Sequence, residues 1–277
     1  MPTCPIKRAL SLACAILVTQ RALFGQENSF QTYTQSITNP FRTDGFGAQF
    51  LLIICSAIYA ELNGKQFCYT PFKIMEHNYD NDPKFIEKKE RLINFIGNFE
   101  VNEDLSIQPP ENSHEYYKFF LDHLTLAENS NSLKNIKYVF RKNKNKQHYF
   151  KNETFNIAVH IRRPNSHDTR PEGPDIPDEA YLRNIEFLRK AHASENPLFH
   201  IYSQGDFHTF YERFSAHDTV LHINESIEDT FSSMVLADSL VTSASAFSYA
   251  AAVLSEGIIY YIPFWQPPMP NWTILSN

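Results

Sequence analysis

The run Phe155-Asn156-Ile157-Ala158-Val159-His160-Ile161-Arg162-Arg163 ends an apolar, strand-forming stretch in a histidine and two arginines. In open α/β sheets, ligands bind outside the carboxyl ends of the strands. Two guanidiniums delivered there need an anion, because an unpaired buried charge is too costly. The planar fork of arginine matches phosphate oxygens, so a diphosphate is the fitting guest. The segment therefore points to a nucleotide or nucleotide-sugar site. A plainer reading stays open, with His160 bonded to a backbone carbonyl and the arginines on a solvated face beside carboxylates. A motif this short does not separate the two.

Two hydroxyl-rich turns add to it. Tyr202-Ser203-Gln204-Gly205-Asp206 follows one apolar run, and Thr242-Ser243-Ala244-Ser245-Ala246-Phe247-Ser248-Tyr249 follows another and opens a helix. Hydroxyls and free helix amides at such a place can hold phosphate. A single serine is accounted for as an N-cap. Ser243, Ser245 and Ser248 together exceed that need and fall on the same expected sheet edge as Arg162 and Arg163. In the N-terminal half, Arg42-Thr43-Asp44-Gly45-Phe46-Gly47-Ala48-Gln49 reads as a turn opening an apolar helix. Gly45 and Gly47 either let the backbone approach a ligand or simply make a tight turn; no complete G-x-G-x-x-G is present. Asp80-Asn81-Asp82 has the look of a divalent-cation pair, but it directly precedes Pro83 and a helix, so a capping turn is expected. The histidines lack ligand spacing. The expectation is no metal and no bound cofactor.

The elements that must position these residues alternate regularly from residue 155. Strands are expected at 155–161, 198–202, 220–223, 239–242 and 258–262, with helices at 178–191, 207–214, 227–237 and 246–254. Four successive βα units ending in a strand predict an α/β fold with a parallel sheet covered on both faces. The first half is less regular. A helix is expected at 50–61, a strand at 66–69 and helices at 83–98 and 113–127, while the Lys- and Asn-rich stretch 134–151 reads as a crossing between two halves.

Composition bounds the function. The 277 residues are 43% hydrophobic and 20% charged, with a formal net charge of −6. That describes a globular protein able to bury a sizeable core. The negative balance argues against nucleic acid as a partner and requires basic residues to be concentrated locally around a phosphate. Of the four cysteines, Cys4 and Cys14 lie near the N-terminus, and Cys55 and Cys68 leave a disulfide and two free thiols equally open. Lys7-Arg8 followed by the apolar run 9–18 fits a secretory signal, a poor membrane anchor or an ordinary amphipathic terminus. Three sequons begin at Asn152, Asn224 and Asn271 and are compatible with the secretory pathway. A secretory or Golgi location is expected if residues 1–27 are a signal, and a cytoplasmic one otherwise; membrane association is expected only if they are an anchor.

With these residues assembled, the chain resembles the fucosyltransferase superfamily that carries an H-x-R-R-x-D signature in a GT-B-like fold. Its members include α-1,6, α-1,2 and protein O-fucosyltransferases. The matching elements are Asp44-Gly45-Phe46-Gly47-Ala48-Gln49, His160-Ile161-Arg162-Arg163, Asp238-Ser239-Leu240-Val241-Thr242 and Ser245-Ala246-Phe247-Ser248-Tyr249, in the family's order over residues 40–265. The aspartate ending the signature is Asn165 here, after Pro164. The resemblance implies an acceptor-side α/β half over 28–150 and a C-terminal Rossmann-like half over 151–277 that binds the nucleotide sugar. It implies an inverting, metal-independent transferase taking fucose from GDP-fucose to a glycan or glycoprotein hydroxyl. Another nucleotide sugar (xylose, galactose or rhamnose) and a non-catalytic binding domain are the alternatives. By position, Arg162 and Arg163 would contact the diphosphate, with Arg163 catalytic, and His160 the nucleotide. Ser245 and Ser248 would lie near the phosphates, Gly45 and Gly47 beside the ligand, and Asp229 near the base of the nucleotide. Counting back from Ile176-Pro177-Asp178-Glu179-Ala180-Tyr181, which resembles the family's helix start, the catalytic carboxylate falls on Glu172.

Overall fold

The computed structural model describes residues 35–110, 112, 114–150, 154–163 and 176–276. Its larger sheet is built from β3 (Phe155–His160), β4 (Pro197–Ser203), β5 (Thr219–Ile223), β6 (Ser239–Val241), β7 (Ile258–Tyr261) and β8 (Thr273–Ile274). Every neighbouring pair is parallel, in the order β5-β4-β3-β6-β7-β8. The chain thus runs outward from β3 to β5, crosses back to β6, and runs outward on the other side. That reversal between β3 and β6 is the topological switch point of a doubly wound sheet.

The two faces of the sheet are covered by different helices. Ile157, Val159 and Ile161 of the β3 run point to one side, with Phe199 and Ile201, and pack on α7 (Asp178–Ala191) and α8 (Phe207–Phe214). Ala158 and Tyr202 point to the other, where α9 (Ile227–Leu236) and α10 (Ala246–Leu254) lie. Period-two alternation in strands apolar on both faces produces this division.

A smaller parallel sheet pairs β1 (Ser36–Thr38) with β2 (Gln66–Cys68), joined by α1 (Phe46–Leu62). Helix α1 is buried along almost its whole length, as an all-round apolar helix must be. It packs against α10, against α3 (Glu115–Asp122) and against α5 (Asn131–Arg141). Phe46 and Phe50 of α1, Phe140 of α5 and Phe231 of α9 meet with ring centroids 5.0–6.3 Å apart, so one apolar core spans both halves of Thr34–Asn277. The α/β architecture, with a parallel sheet in the C-terminal half and a smaller N-terminal α/β half, is the one expected from the sequence.

The expected strands and helices of the regular half agree to within a residue at each boundary, and β8 is an additional edge strand beside β7. The N-terminal half differs at α1, at 83–98, at 113–127 and at 134–151, and β1 is additional to the strands expected. Helix α1 begins at Phe46, four residues early, so Gly47 lies inside its first turn and not in a preceding loop. The stretch 113–127 is interrupted at His123, which separates α3 from α4 (Leu124–Asn129). The stretch 134–151 is largely helical: Ser130 caps α5 through the Leu133 amide, and Leu133, Ile136, Val139 and Phe140 form its buried stripe. Surface Lys and Asn hid that i, i+3, i+6, i+7 pattern. Helix α2 (Phe85–Ile93) stops at Asn94, whose left-handed φ of 60° ends it short of residue 98. A four-residue helix, α6 (Lys146–Tyr149), precedes β3. Cys55 and Cys68 are buried free thiols. No helix among the described residues is long and apolar enough to cross a membrane; residues 1–27 lie outside them.

Candidate active site

His160, Arg162 and Arg163 stand at the carboxyl end of β3, and the serine turn stands at the carboxyl end of β6. They face each other across the switch point. The Arg162 amide donates to Ser243 Oγ at 3.1 Å, and Ser243 Oγ lies 2.8 Å from the Tyr181 hydroxyl, which binds the two strand ends to α7.

His160 closes β3 on the face of α9 and α10. Its ring lies 5.6 Å from that of Phe247 in the first turn of α10, and the side chain is nearly buried (9% exposed). Burial, and then the Arg162 charge, push its pKa down to about 3, so the imidazole is neutral at physiological pH. Its Nδ1 is buried with no hydrogen-bond partner among the described residues. A polar atom left so in a folded protein calls for a function, since desolvating it unmade costs about 1–3 kcal/mol.

Two helix N-termini meet beside this ring. Gly45 caps α1 without a side-chain bond, so first-turn amides of α1 are left without a side-chain cap. Gly47 abuts α10 so closely that a Cβ there would stand 2.6 Å from the Phe247 amide nitrogen and 2.9 Å from the Ala246 carbonyl carbon. A Cβ on Gly45 would meet only the His77 ring, at 2.7–2.8 Å. Converging helix N-termini favour a negative group. His77 itself sits at a left-handed φ of 74° and bonds the Tyr79 hydroxyl through Nδ1. No sequence motif singled it out; its backbone strain is visible only in the fold.

The serines divide in role. Ser245 Oγ caps α10 by accepting from the Phe247 amide at 3.2 Å. Ser248 is fully buried, accepting from the Ser243 amide at 3.1 Å and reaching the Ser243 and Ser245 carbonyls at 3.4 Å. It braces the turn from within. Ser226 Oγ caps α9 by accepting from the Asp229 amide at 3.0 Å and donates to the Asp229 carboxylate at 2.8 Å. That bond holds the carboxylate at the start of α9.

Arg163 already has an anion. Its guanidinium pairs with Asp178 Oδ1 and lies 5.3 Å from the centre of the Phe210 ring. Asp178 also receives Arg213 at 3.5 Å. A carboxylate from the first turn of α7 thus orients the second arginine. Asn165 and Glu172 lie outside the described residues. Asp44 pairs with Arg42 at 2.7 Å through Oδ2, and its buried Oδ1 has no partner among the described residues. Asp82 accepts from the Lys84 amide at 2.9 Å and from Lys88 Nζ at 2.6 Å, the capping turn expected of Asp80-Asn81-Asp82. Among the described residues no cluster of three or more metal-ligating side chains occurs. A cavity of about 410 Å³ lies elsewhere, at the amino ends of β3 and β6, between Lys146, Phe150, Asn156, Glu195 and Asp238. The arginines, the orphaned histidine nitrogen and the two helix N-termini all converge at the opposite edge.

No protein-family model matches the chain, and no curated protein sequence matches it. Among solved structures it is similar to NodZ α-1,6-fucosyltransferase soaked with GDP-fucose, at 14% identity and TM-score 0.46, over 85% of this chain and 97% of that one. It is also similar to POFUT1 in complex with GDP, at 10% identity and TM-score 0.44, over 87% and 97%. A third similarity is to the E. coli heptosyltransferase WaaC with an ADP-heptose analogue, at 12% identity and TM-score 0.39, over 87% and 92%.

Proposed function

We propose that the protein is a GT-B-like glycosyltransferase that holds a nucleoside diphosphate sugar at the switch point between β3 and β6. The observation that carries this reading is one convergence. A buried neutral His160 with an unpartnered Nδ1, two arginines and two abutting helix N-termini share one sheet edge. Hydrogen-bond donors and positive ends of this kind suit a diphosphate, and a neutral imidazole suits a polar ligand atom better than a second charge.

The chemistry that follows is inverting transfer. A carboxylate, assigned to Glu172 by position, takes the proton from an acceptor hydroxyl. That oxygen forms a bond to the anomeric carbon as the carbon's bond to the diphosphate oxygen breaks, and the electron pair leaves with the diphosphate. Charge builds on the leaving group, where Arg162, Arg163 and the amides of α1 and α10 stabilise it. Preorganised donors of this sort are worth about a hundredfold or more each in rate. No step calls for a metal. The motifs of the glycine turn, the arginines and the serine turn favour GDP-fucose as donor and a glycan or glycoprotein hydroxyl as acceptor.

One observation favours a non-catalytic reading: Arg163 Nη2 is already paired with Asp178 Oδ1. Donor hydrolysis and calorimetric binding with GDP-, UDP-, dTDP- and ADP-sugars separate the cases. Turnover of GDP-fucose is the expected result. Turnover of another sugar nucleotide alone reassigns the donor, binding without turnover supports the non-catalytic reading, and no binding of any member removes the proposal.

A further inference from the structure

The peptide group between Ile161 and Arg162 lies just beyond β3, where the ladder with β6 has ended: the last register pair there is Val159 with Val241. Two serine hydroxyls take the ladder's place. Ser203, the last residue of β4, donates from Oγ to the Ile161 carbonyl at 2.7 Å. Ser243, two residues beyond β6, accepts from the Arg162 amide through Oγ at 3.1 Å. That carbonyl and that amide belong to one peptide group, and in an extended chain they point toward opposite neighbours. The unit that introduces Arg162 is therefore pinned from both sides by side chains. Each serine is itself fixed. Ser243 is 1% exposed, its amide donates to Ser248 Oγ at 3.1 Å, and its Oγ lies 2.8 Å from the Tyr181 hydroxyl of α7. Ser203 pairs with Ile223 of β5, and its carbonyl accepts from the Asn224 amide at 3.0 Å.

The plane of this peptide decides where the two arginines go. Side chains alternate along an extended chain, so successive residues take opposite faces of the sheet. Ile161 packs toward α7 and α8, and Arg163 meets Asp178 of α7 on that same side. The alternation assigns Arg162 to the other side, the one on which His160 meets Phe247 of α10. One guanidinium on each side of the strand end brackets an anion held at the switch point. Among the described residues no backbone bond joins this peptide to β6, so without the Ser243 hydroxyl nothing on that side opposes its rotation.

We propose that Ser203 and Ser243 are positioning residues of the donor site: together they set the peptide plane that aims Arg162 and Arg163 at the diphosphate. This rests on the donor-site reading above. Charge that builds on a leaving diphosphate is stabilised by donors already in place, and a displacement near 1 Å costs on the order of a hundredfold in rate. Neither serine touches the ligand on this account. Each acts through the backbone, so its loss is felt first at the Arg162 amide and only then in affinity and turnover.

The test uses the full chain as wild type, Ser243→Ala, Ser203→Ala and Ser203→Thr. Calorimetry gives GDP affinity, donor hydrolysis gives GDP-fucose turnover, urea midpoints report folding, and hydrogen exchange without ligand reads the Ile161 and Arg162 amides. Ser243→Ala should speed Arg162 exchange about tenfold or more, while Ile161, whose amide donates to the Tyr202 carbonyl at 2.9 Å, stays within about twofold. Both alanine variants should bind GDP about fivefold or more weakly and turn over GDP-fucose about tenfold or more slowly. Ser203→Thr keeps the hydroxyl and should match wild type in both. Wild-type affinity and turnover in the two alanine variants overturn the inference and leave the donor reading standing. So does equal loss in Ser203→Thr and Ser203→Ala at a wild-type urea midpoint, or exchange that rises equally at Ile161 and Arg162, as general loosening of the sheet end would give. If wild type binds no GDP, UDP, dTDP or ADP although Arg162 exchange responds as expected, the donor reading fails and the positioning role with it.

Discussion

Gly47→Ala is the sharpest probe of how the site is held together. In an ordinary helix interior this change stabilises by about 1 kcal/mol, because alanine loses less backbone entropy. Here the added methyl would stand 2.6 Å from the Phe247 nitrogen and 2.9 Å from the Ala246 carbonyl carbon, where ordinary contact begins at 3.4 Å. The Phe247 Cα stands nearer still and all three obstacles are backbone, so no rotamer relieves them, and α1 and α10 must part by roughly 1 Å. Overpacking of that kind costs about 1–3 kcal/mol, which offsets the propensity gain and leaves a net loss of about 1 kcal/mol. The larger effect is expected on function. The residues that move, Ala246 and Phe247, carry the α10 amides and the ring that abuts His160. A displacement near 1 Å at such a place costs on the order of a hundredfold in rate. Urea denaturation gives the first quantity, and calorimetry with GDP and GDP-fucose turnover give the second. Gly45→Ala is the paired control, because its methyl meets only the His77 ring, a side chain able to rotate. If Gly47→Ala raises stability by its full helix propensity and leaves turnover unchanged, the abutting N-termini do not shape the site.

Arg163→Lys should lose nearly as much turnover as Arg163→Ala, at least about a hundredfold, because an ammonium cannot reproduce the fork held by Asp178; near-wild-type turnover in the lysine variant would refute the diphosphate assignment. Glu172→Gln should bind GDP normally and turn over at least about tenfold more slowly; full turnover in Glu172→Gln with loss in Asp44→Asn would move the base to the glycine turn, where Asp44 Oδ1 has no hydrogen-bond partner among the described residues. Stability should fall in acid through two histidines held neutral, His160 at about 3 and His200 at about 4 against an ordinary 6.5. The unfolded chain binds more protons between those values, so stability is full above about pH 6.5 and drains as pH falls toward 4 and then 3; urea midpoints of His160→Asn and His200→Gln should each show a shallower acid slope, and unchanged slopes would contradict the burial argument. Turnover should survive excess EDTA, and abolition by chelator with recovery in Mn²⁺ would reinstate a metal.

The C-terminal half was legible because its signals are local. Runs such as 198–202 and 258–262 are apolar and β-branched or aromatic, and each helix between them carries an apolar stripe and a clear stop. The candidate site was placed by the same pattern, since a parallel sheet delivers its strand ends to one edge. What was not legible depends on contacts between distant segments. Ser248 looked spare for a ligand until the turn folded over it, and Gly47 looked like a loop residue until α10 was seen against it. Asp178 read as a helix-start acid, a correct reading, yet its second role as partner to Arg163 depends on a pairing fifteen residues apart.

Asp178 and Lys89 together indicate how this chain balances its cations without a ligand. The Lys89 side chain is 1% exposed, its amine 3.8 Å from the centre of the Phe85 ring and 2.6 Å from Glu228 in the first turn of α9. Burial pulls its pKa down and the Glu228 bond pushes it back up. Arg163 is likewise met by an acid in the first turn of a helix, α7. In both cases the carboxylate also sits at a favourable place in its own helix dipole, so the acid is stabilised from two directions. Such a pair holds the cation in one geometry before any substrate arrives, which lowers the reorganisation needed when a diphosphate enters. It also sets a condition on binding. For Arg163 to give its fork to a phosphate, the phosphate must outcompete Asp178 or share the guanidinium with it, and Arg213 stands 3.5 Å from Asp178 as the cation that would compensate the acid if it were displaced. On the donor-site reading proposed above, binding is then an exchange between two anions over one arginine, and Arg213, which also pairs with Glu179, stands beside the acid that is released.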